Sequence, residues 1–314
     1  MASHAEYLAR YFRRLRAAGD DIHFLYGAAR GDQVEWHTFS HDTHDGFGAL
    51  HDMFGTVRPT RAALTPPPLR RRLGVLRRAL AGPPDLPLTI PRADWSRPSR
   101  QPTRLAAHAF TVEETQRITP RGASAFGPLC AALQRAVAPR LAAVTPIVRW
   151  RTSVGMFGVD PRVTDPRANQ FSHVDLDLPW TPTAADADGA LADARARDEH
   201  WGNWWLQAVG HPIFGDRLLD KLLTANVAPG APLPHALGTF TWLGACKQPG
   251  VDWIAGCPPA FRITPVGAGT MIANGRLSLA MVLHPAIGDD AEAEACLDAW
   301  RRELEATAPA PTAR

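Results

Sequence analysis

Apolar residues recur at helical spacing from the start of the chain. Tyr7, Leu8, Tyr11, Phe12 and Leu15 fall on one face through residues 4–18, with arginines between them, so the pattern predicts an amphipathic helix. The period then shortens to two. Residues 21–29 read as a strand, and Gly31-Asp32-Gln33 as a turn. Residues 34–41 alternate, with Val34, Trp36, Thr38 and Ser40 on one face and Glu35, His37, Phe39 and His41 on the other. From Asp45 onward Phe47, Leu50 and Phe54 share one side of a second helix.

Residues 56–103 are rich in proline and arginine and predict long connections around one short helix near 69–80. A strand at 103–111, a helix at 124–143 and a strand at 146–158 follow. Residues 169–179 alternate as another strand, with Phe171, His173, Asp175 and Asp177 opposite Ser172, Val174, Leu176 and Leu178. A long helical segment is expected over 186–210 and a further helix near 214–225. The last third reads as strands at 236–244, 253–261, 264–275 and 276–285, with Asn274-Gly275 as a type I′ hairpin signal. An amphipathic helix with acids early and arginines late closes the pattern at 289–307. Sheet and helix alternate without a βαβ rhythm, so the expected class is mixed α/β with mixed or antiparallel sheets. No internal repeat is evident. The glycines of residues 265–270 lack the strand–turn–helix context of a dinucleotide site.

Composition narrows this further. The 314 residues, 45% of them hydrophobic, suffice for one large domain or two subdomains. Thirty-four basic and 31 acidic residues leave a net charge of +3, with no long Lys/Arg run to suggest nucleic-acid binding. The densest basic segment, residues 66–80, has apolar residues between its arginines and reads as a solvated helix. Four cysteines, Cys130, Cys246, Cys257 and Cys296, form no CxxC pair, which predicts free thiols in a reducing compartment. Neither a secretory h-region nor a run of 18 apolar residues is present, so a cytoplasmic protein without transmembrane helices or nucleic-acid partners is expected.

Residues 34–51 concentrate the candidate chemistry, with His37, His41, His44 and His51 among acids. Metal binding would use His37, His41 and His44, but a zinc site wants a closed ligand set, and no distant His/Cys pair completes one. No metal is expected. The bland reading makes each histidine an ordinary strand-end or surface residue, and His37, His44 and His51 fall under it. The third reading singles out His41-x-x-x-Asp45-Gly46. A strand delivers His41 at its end, Asp45 points back and anchors the loop, and Gly46 permits a tight entry into the next helix. A neutral imidazole there can take a proton from an alcohol, amine or thiol.

On these residues the sequence resembles the thioester-dependent acyltransferase superfamily. That group includes chloramphenicol acetyltransferase, the condensation domains of peptide synthetases, and wax ester synthase/diacylglycerol acyltransferases. His41, Asp45 and Gly46 match the second histidine, the aspartate and the glycine of its HHxxxDG motif, and Ser40 replaces the first histidine. Residues 151–179 look like the family's strand, polar loop and Asn-x-x-Ser strand, with Asn169, Ser172, Leu178 and Pro179 matching. Gly155 stands where an arginine is common, leaving Arg149 or Arg151 as substitutes for the anchor of Asp45. Residues 238–244 are similar to the strand before the family's crossover, and residues 265–285 to its closing hairpin.

The resemblance implies an α/β, chloramphenicol acetyltransferase-like two-lobed sandwich. Residues 1–110 would form a shortened N-terminal lobe carrying the histidine motif, and residues 111–314 the C-terminal lobe. It also implies a catalytic set of His41 as general base with Asp45 and Gly46. The co-substrate would be a coenzyme A or carrier-protein phosphopantetheine thioester, with no permanently bound cofactor, and the acceptor an alcohol or amine. Oxyanion or substrate-binding candidates are Thr239, Thr241, Ser172 and Asn169, and Trp204 and Trp205 are candidate pocket walls. Two further outcomes fit the same motif. One is a degenerate protein that binds a carrier protein or synthetase, and the other is cyclisation or dehydration of a carrier-bound intermediate. With so short a first lobe, a partner subunit could complete it.

Overall fold

A computed structural model describes residues 3–55, 64–81, 88–99, 104–120, 122–206 and 235–308. The opening helix, α1 (His4–Ala17), is capped by Ser3 in a reciprocal capping box with Glu6, and it buries Leu8, Phe12 and Leu15. It leads into a hairpin of β1 (His23–Arg30) and β2 (Gln33–Ser40), and then α2 (Gly46–Phe54). After α3 (Leu69–Ala81) come β3 (Ala106–Ala109), α4 (Val112–Ile118), α5 (Phe126–Arg140) and the antiparallel pair β4 (Val148–Gly155) and β5 (Phe171–Leu178). Two helices follow, α6 (Ala184–Ala196) and α7 (Glu199–Trp205). The chain then runs through β6 (Gly238–Cys246), β7 (Trp253–Gly256), β8 (Val266–Ala273) and β9 (Arg276–Leu283) to α8 (Asp290–Thr307).

The strands form a six-stranded sheet in the order β3-β9-β8-β6-β4-β5 and a three-stranded sheet in the order β2-β1-β7. In the large sheet β4–β6 and β6–β8 are parallel and the other pairs antiparallel, which gives the expected mixed α/β class. One face of it buries Trp150, Phe240 and Val266 against α5 and α8, with Trp300 fully enclosed. Across the other face of β8 and β9 runs β7, which leaves the large sheet's neighbourhood to pair with β1. That crossing is tight: a Cβ on Gly267 or Gly269 would overlap the backbone of Pro258 or Gly256. The division expected after residue 110 is crossed in both directions, since β3 pairs with β9 in the large sheet and β7 joins the small one.

Several local expectations change. The long helix at 186–210 breaks at Asp198, whose left-handed φ of 59° separates α6 from α7. The strand at 253–261 ends at Gly256, before Pro258-Pro259, where ladder donors are missing. The strand at 103–111 shortens to β3. α4 was not anticipated, although its capping box, Thr111 with Glu114, is written in the sequence. The helix expected near 214–225 lies outside the described residues. Asn274 and Gly275 both adopt positive φ, as a type I′ hairpin requires.

Candidate active site

β2 ends at Ser40 and delivers His41 to the next position, where its backbone N–H donates to Ile22 (3.1 Å). His41 is only 8% exposed. Phe12 of α1 stacks on it at 4.7 Å between centroids and 13° between planes, and Phe24 lies 4.5 Å away on a tilt. Nδ1 sits 3.1 Å from the carbonyl oxygen of His44. A carbonyl can only accept, so Nδ1 carries the proton and Nε2 the lone pair. Burial drives the His41 pKa down to about 4, against the raising effect of the His44 carbonyl and Asn169, so the ring is neutral at pH 7.

Asp45 is buried and acts on the backbone around it. One carboxylate oxygen caps α2 through Gly48 N–H (2.8 Å), and the other accepts Gln170 N–H (3.0 Å). Its own N–H reaches the Arg167 carbonyl (3.4 Å), and Asn169 Nδ2 donates to the carbonyl of His41. The loop at 167–170 is therefore fastened to the histidine turn at both of its ends. Gly48 lies so close to Arg167 that a Cβ would overlap the carbonyl, a constraint set by a partner more than a hundred residues away in the chain. Arg149 and Arg151, the candidate anchors for Asp45, instead make paired contacts across the strand with Asp177 (2.6 and 2.9 Å) and Asp175 (2.9 and 3.2 Å).

The turn opens on a cavity of about 530 Å³ between the small-sheet side and the large sheet. His41, Asp45, Gly46 and Tyr26 line one wall. From the large sheet, Thr239, Thr241, Arg151 and His173 line the same cavity. Alternation along β6 explains the threonines: Phe240 points into the core, so its neighbours point the other way. β6 shifts register against β8 after Trp242, where Gly244 has φ 82°, and Trp242 and Leu243 also reach the cavity. Leu8, Tyr11 and Phe12 of α1 close one end. Burial and the Arg151 charge push His173 down to about 3. Burial opposes ionisation of Asp175, yet Arg151 brings it to about 2. Arg151 and His173 also line a second cavity of about 760 Å³ that reaches α3 and α6.

The other candidates lie elsewhere. Ser172 is fully buried, and its Oγ donates to the His200 carbonyl (2.7 Å), so it ties β5 to α7 away from the cavity wall. Asn169 sits behind His41. Trp204 stacks on His4 at 3.4 Å, and Trp205 packs beside Trp201 under Arg72, so neither tryptophan faces the cavity. His37 pairs with Glu35 (3.4 Å) and His44 with Asp52 (2.8 Å). Among the described residues no group of three or more His, Cys, Asp or Glu is arranged to hold a metal ion.

Tyr26 went unremarked in the sequence. Its register partner on β7 is Gly256, and a Cβ there would meet the ring at 2.7 Å. A Cβ on Gly46 would stand 2.6 Å from its hydroxyl. The glycine after Asp45 thus makes room for this phenol beside the cavity. Burial, with Asp45 and Cys257 nearby, holds the phenol well above its ordinary range, so it is a permanent hydrogen-bond donor.

No family model matches the sequence, and no curated protein matches it. Solved structures do. The chain is similar to the wax ester synthase/diacylglycerol acyltransferase from Marinobacter aquaeolei VT8, with 13% identity and a TM-score of 0.51 over 87% of this chain and 66% of that one. It is also similar to the EpoB NRPS cyclization-docking bidomain from Sorangium cellulosum, with 15% identity and a TM-score of 0.50 over 96% of this chain and 78% of that one. The rhombohedral form of the same bidomain gives 15% and 0.50 over 98% and 77%. At these identities the likeness is one of fold, and the fold is that of the chloramphenicol acetyltransferase-like condensation and acyltransferase structures.

Proposed function

We propose that the protein is an acyltransferase or condensation-type enzyme. It moves an acyl group from a coenzyme A or carrier-protein thioester to an alcohol or amine, with His41 as general base. One observation carries this reading: a buried imidazole, fixed as the Nδ1–H tautomer by the His44 carbonyl, lines a 530 Å³ cavity. Nε2 accepts the proton as the acceptor's oxygen or nitrogen attacks the thioester carbonyl. The C–S bond then breaks, and the proton passes to the departing thiolate or to solvent. The tetrahedral oxyanion needs a donor, and the Tyr26 hydroxyl and the Thr239 and Thr241 hydroxyls lie in the same cavity to supply it. Asp45 and Gly46 shape the turn, and Asn169 holds it from behind.

A panel of acyl-coenzyme A and acyl-phosphopantetheine donors, each with alcohol and amine acceptors, tests the reaction class. Thiol release that depends on an acceptor, with the acylated acceptor detected by mass spectrometry, is expected. Release of thiol without acylated product would replace transfer by hydrolysis.

A second reading has its own observation. Phe12 lies flat on the His41 ring and Ser40 stands in place of the motif's first histidine, which favours a protein that binds a carrier protein or synthetase without catalysis. Equal recovery of an acyl carrier protein by wild type and His41→Ala, with no turnover by either, would favour it over the first.

A further inference from the structure

The three most exposed large apolar side chains among the described residues all stand on α3: Leu69, Leu73 and Leu80 are 77%, 78% and 67% exposed. With half-buried Leu76 they fall at i, i+4, i+7 and i+11, a single stripe along the helix. This stripe is not the packing face. Val75 and Ala79 point to the other side, where Gly202 of α7 lets the two helices approach closely. Three arginines hold the helix there: Arg71 pairs with Asp198 (2.9 Å), Arg78 donates to the Arg197 carbonyl (2.7 Å), and Arg72 lies over Trp205. Arg70 and Arg77 remain, seven residues apart along one flank of the leucines, and both are exposed. Residues 64–81 contain no acid to offset them.

We propose that α3 is a contact surface for an anionic lipid bilayer. The leucines rise from the outward side of the helix, and among the described residues they stand 67–78% exposed, unlike anchors seated in a protein groove. A fluid interface needs no matching pocket. The leucine stripe enters the acyl boundary, while Arg70 and Arg77 stay at the level of the phosphates, where their charge complements acidic headgroups. The contact is peripheral, since no helix among the described residues is long and apolar enough to cross a membrane.

Co-sedimentation of the full chain with phosphatidylcholine vesicles, with and without an equal part of phosphatidylglycerol, tests this. Wild type is expected to pellet with the anionic vesicles and not with the neutral ones. Leu69→Ser/Leu73→Ser/Leu80→Ser and Arg70→Glu/Arg77→Glu should each lower the bound fraction by about tenfold or more at fixed lipid. Unchanged circular-dichroism melting checks that both variants remain folded. Wild type left in the supernatant with anionic vesicles would overturn the proposal, as would equal binding by the leucine variant. A dimer seen by light scattering and lost in the leucine variant, without vesicle binding, would assign the stripe to a second copy of the chain instead.

Discussion

At the scale of single residues, His41 is held neutral by burial between Phe12 and Phe24, and that state has a kinetic signature. The kcat/KM profile should be flat through neutrality and fall on an acid limb near pH 4, against about 6.5 for an unburied histidine. A limb near 6.5 in the free protein would mean that the ring is solvated and the site is not the one described. Tyr26→Phe removes one donor and no volume. It should lower kcat roughly 10- to 100-fold while leaving KM and thermal unfolding nearly unchanged, and steady-state kinetics beside a melting curve checks this. His41, Asp45 and Gly46 were legible because their spacing is local: a strand end, a turn and a helix cap within six residues. Tyr26 and Phe12 were not, because they reach the cavity through tertiary packing. Ser172 fits a sequence pattern, yet its hydroxyl is used to fasten α7.

At the scale of elements, the turn at 41–48 and the loop at 167–170 behave as one unit joined by Asp45 and Asn169. Asp45→Ala removes the cap of α2, worth about 1 kcal/mol, and strands the buried Gln170 N–H at about 1–3 kcal/mol. Denaturant unfolding should therefore show a loss of about 2–4 kcal/mol. A loss below about 0.5 kcal/mol would mean that the clamp does not form in solution. The link between α1 and β1 carries a second test. Asp20 is buried, and burial, opposed by Arg262, raises its pKa to about 6. Its folded pKa lies above the unfolded value, so the folded state keeps the proton more tightly. The associated stability is full below about pH 4 and is lost as pH rises through 6. Asp20→Asn should flatten that decline and make the protein more stable than wild type at pH 7, by on the order of 2 kcal/mol in urea titrations at pH 4 and 7. Most elements were legible from period and caps. The break at Asp198 was not, because a left-handed aspartate is only one of several conformations that its sequence allows.

At the scale of the whole molecule, the cavity exists because the two sheets exchange strands. β7 crosses over the small residues of β8 to complete the sheet that carries His41, while β6 turns its threonines toward the same space. The sequence pattern announced strands, small residues and a hairpin in the right order. It did not say which strand pairs with which, because that choice rests on contacts more than 200 residues apart, such as Tyr26 with Gly256. α1, predicted only as an amphipathic helix, proves to be a wall of the site. The central claim is that His41 acts as the base in this cavity. The most direct test compares acceptor-dependent thiol release by wild type, His41→Ala and His41→Gln at equal folded concentration. Loss of at least about 100-fold in both variants is the predicted result. Retention of most of the rate in either would contradict the account.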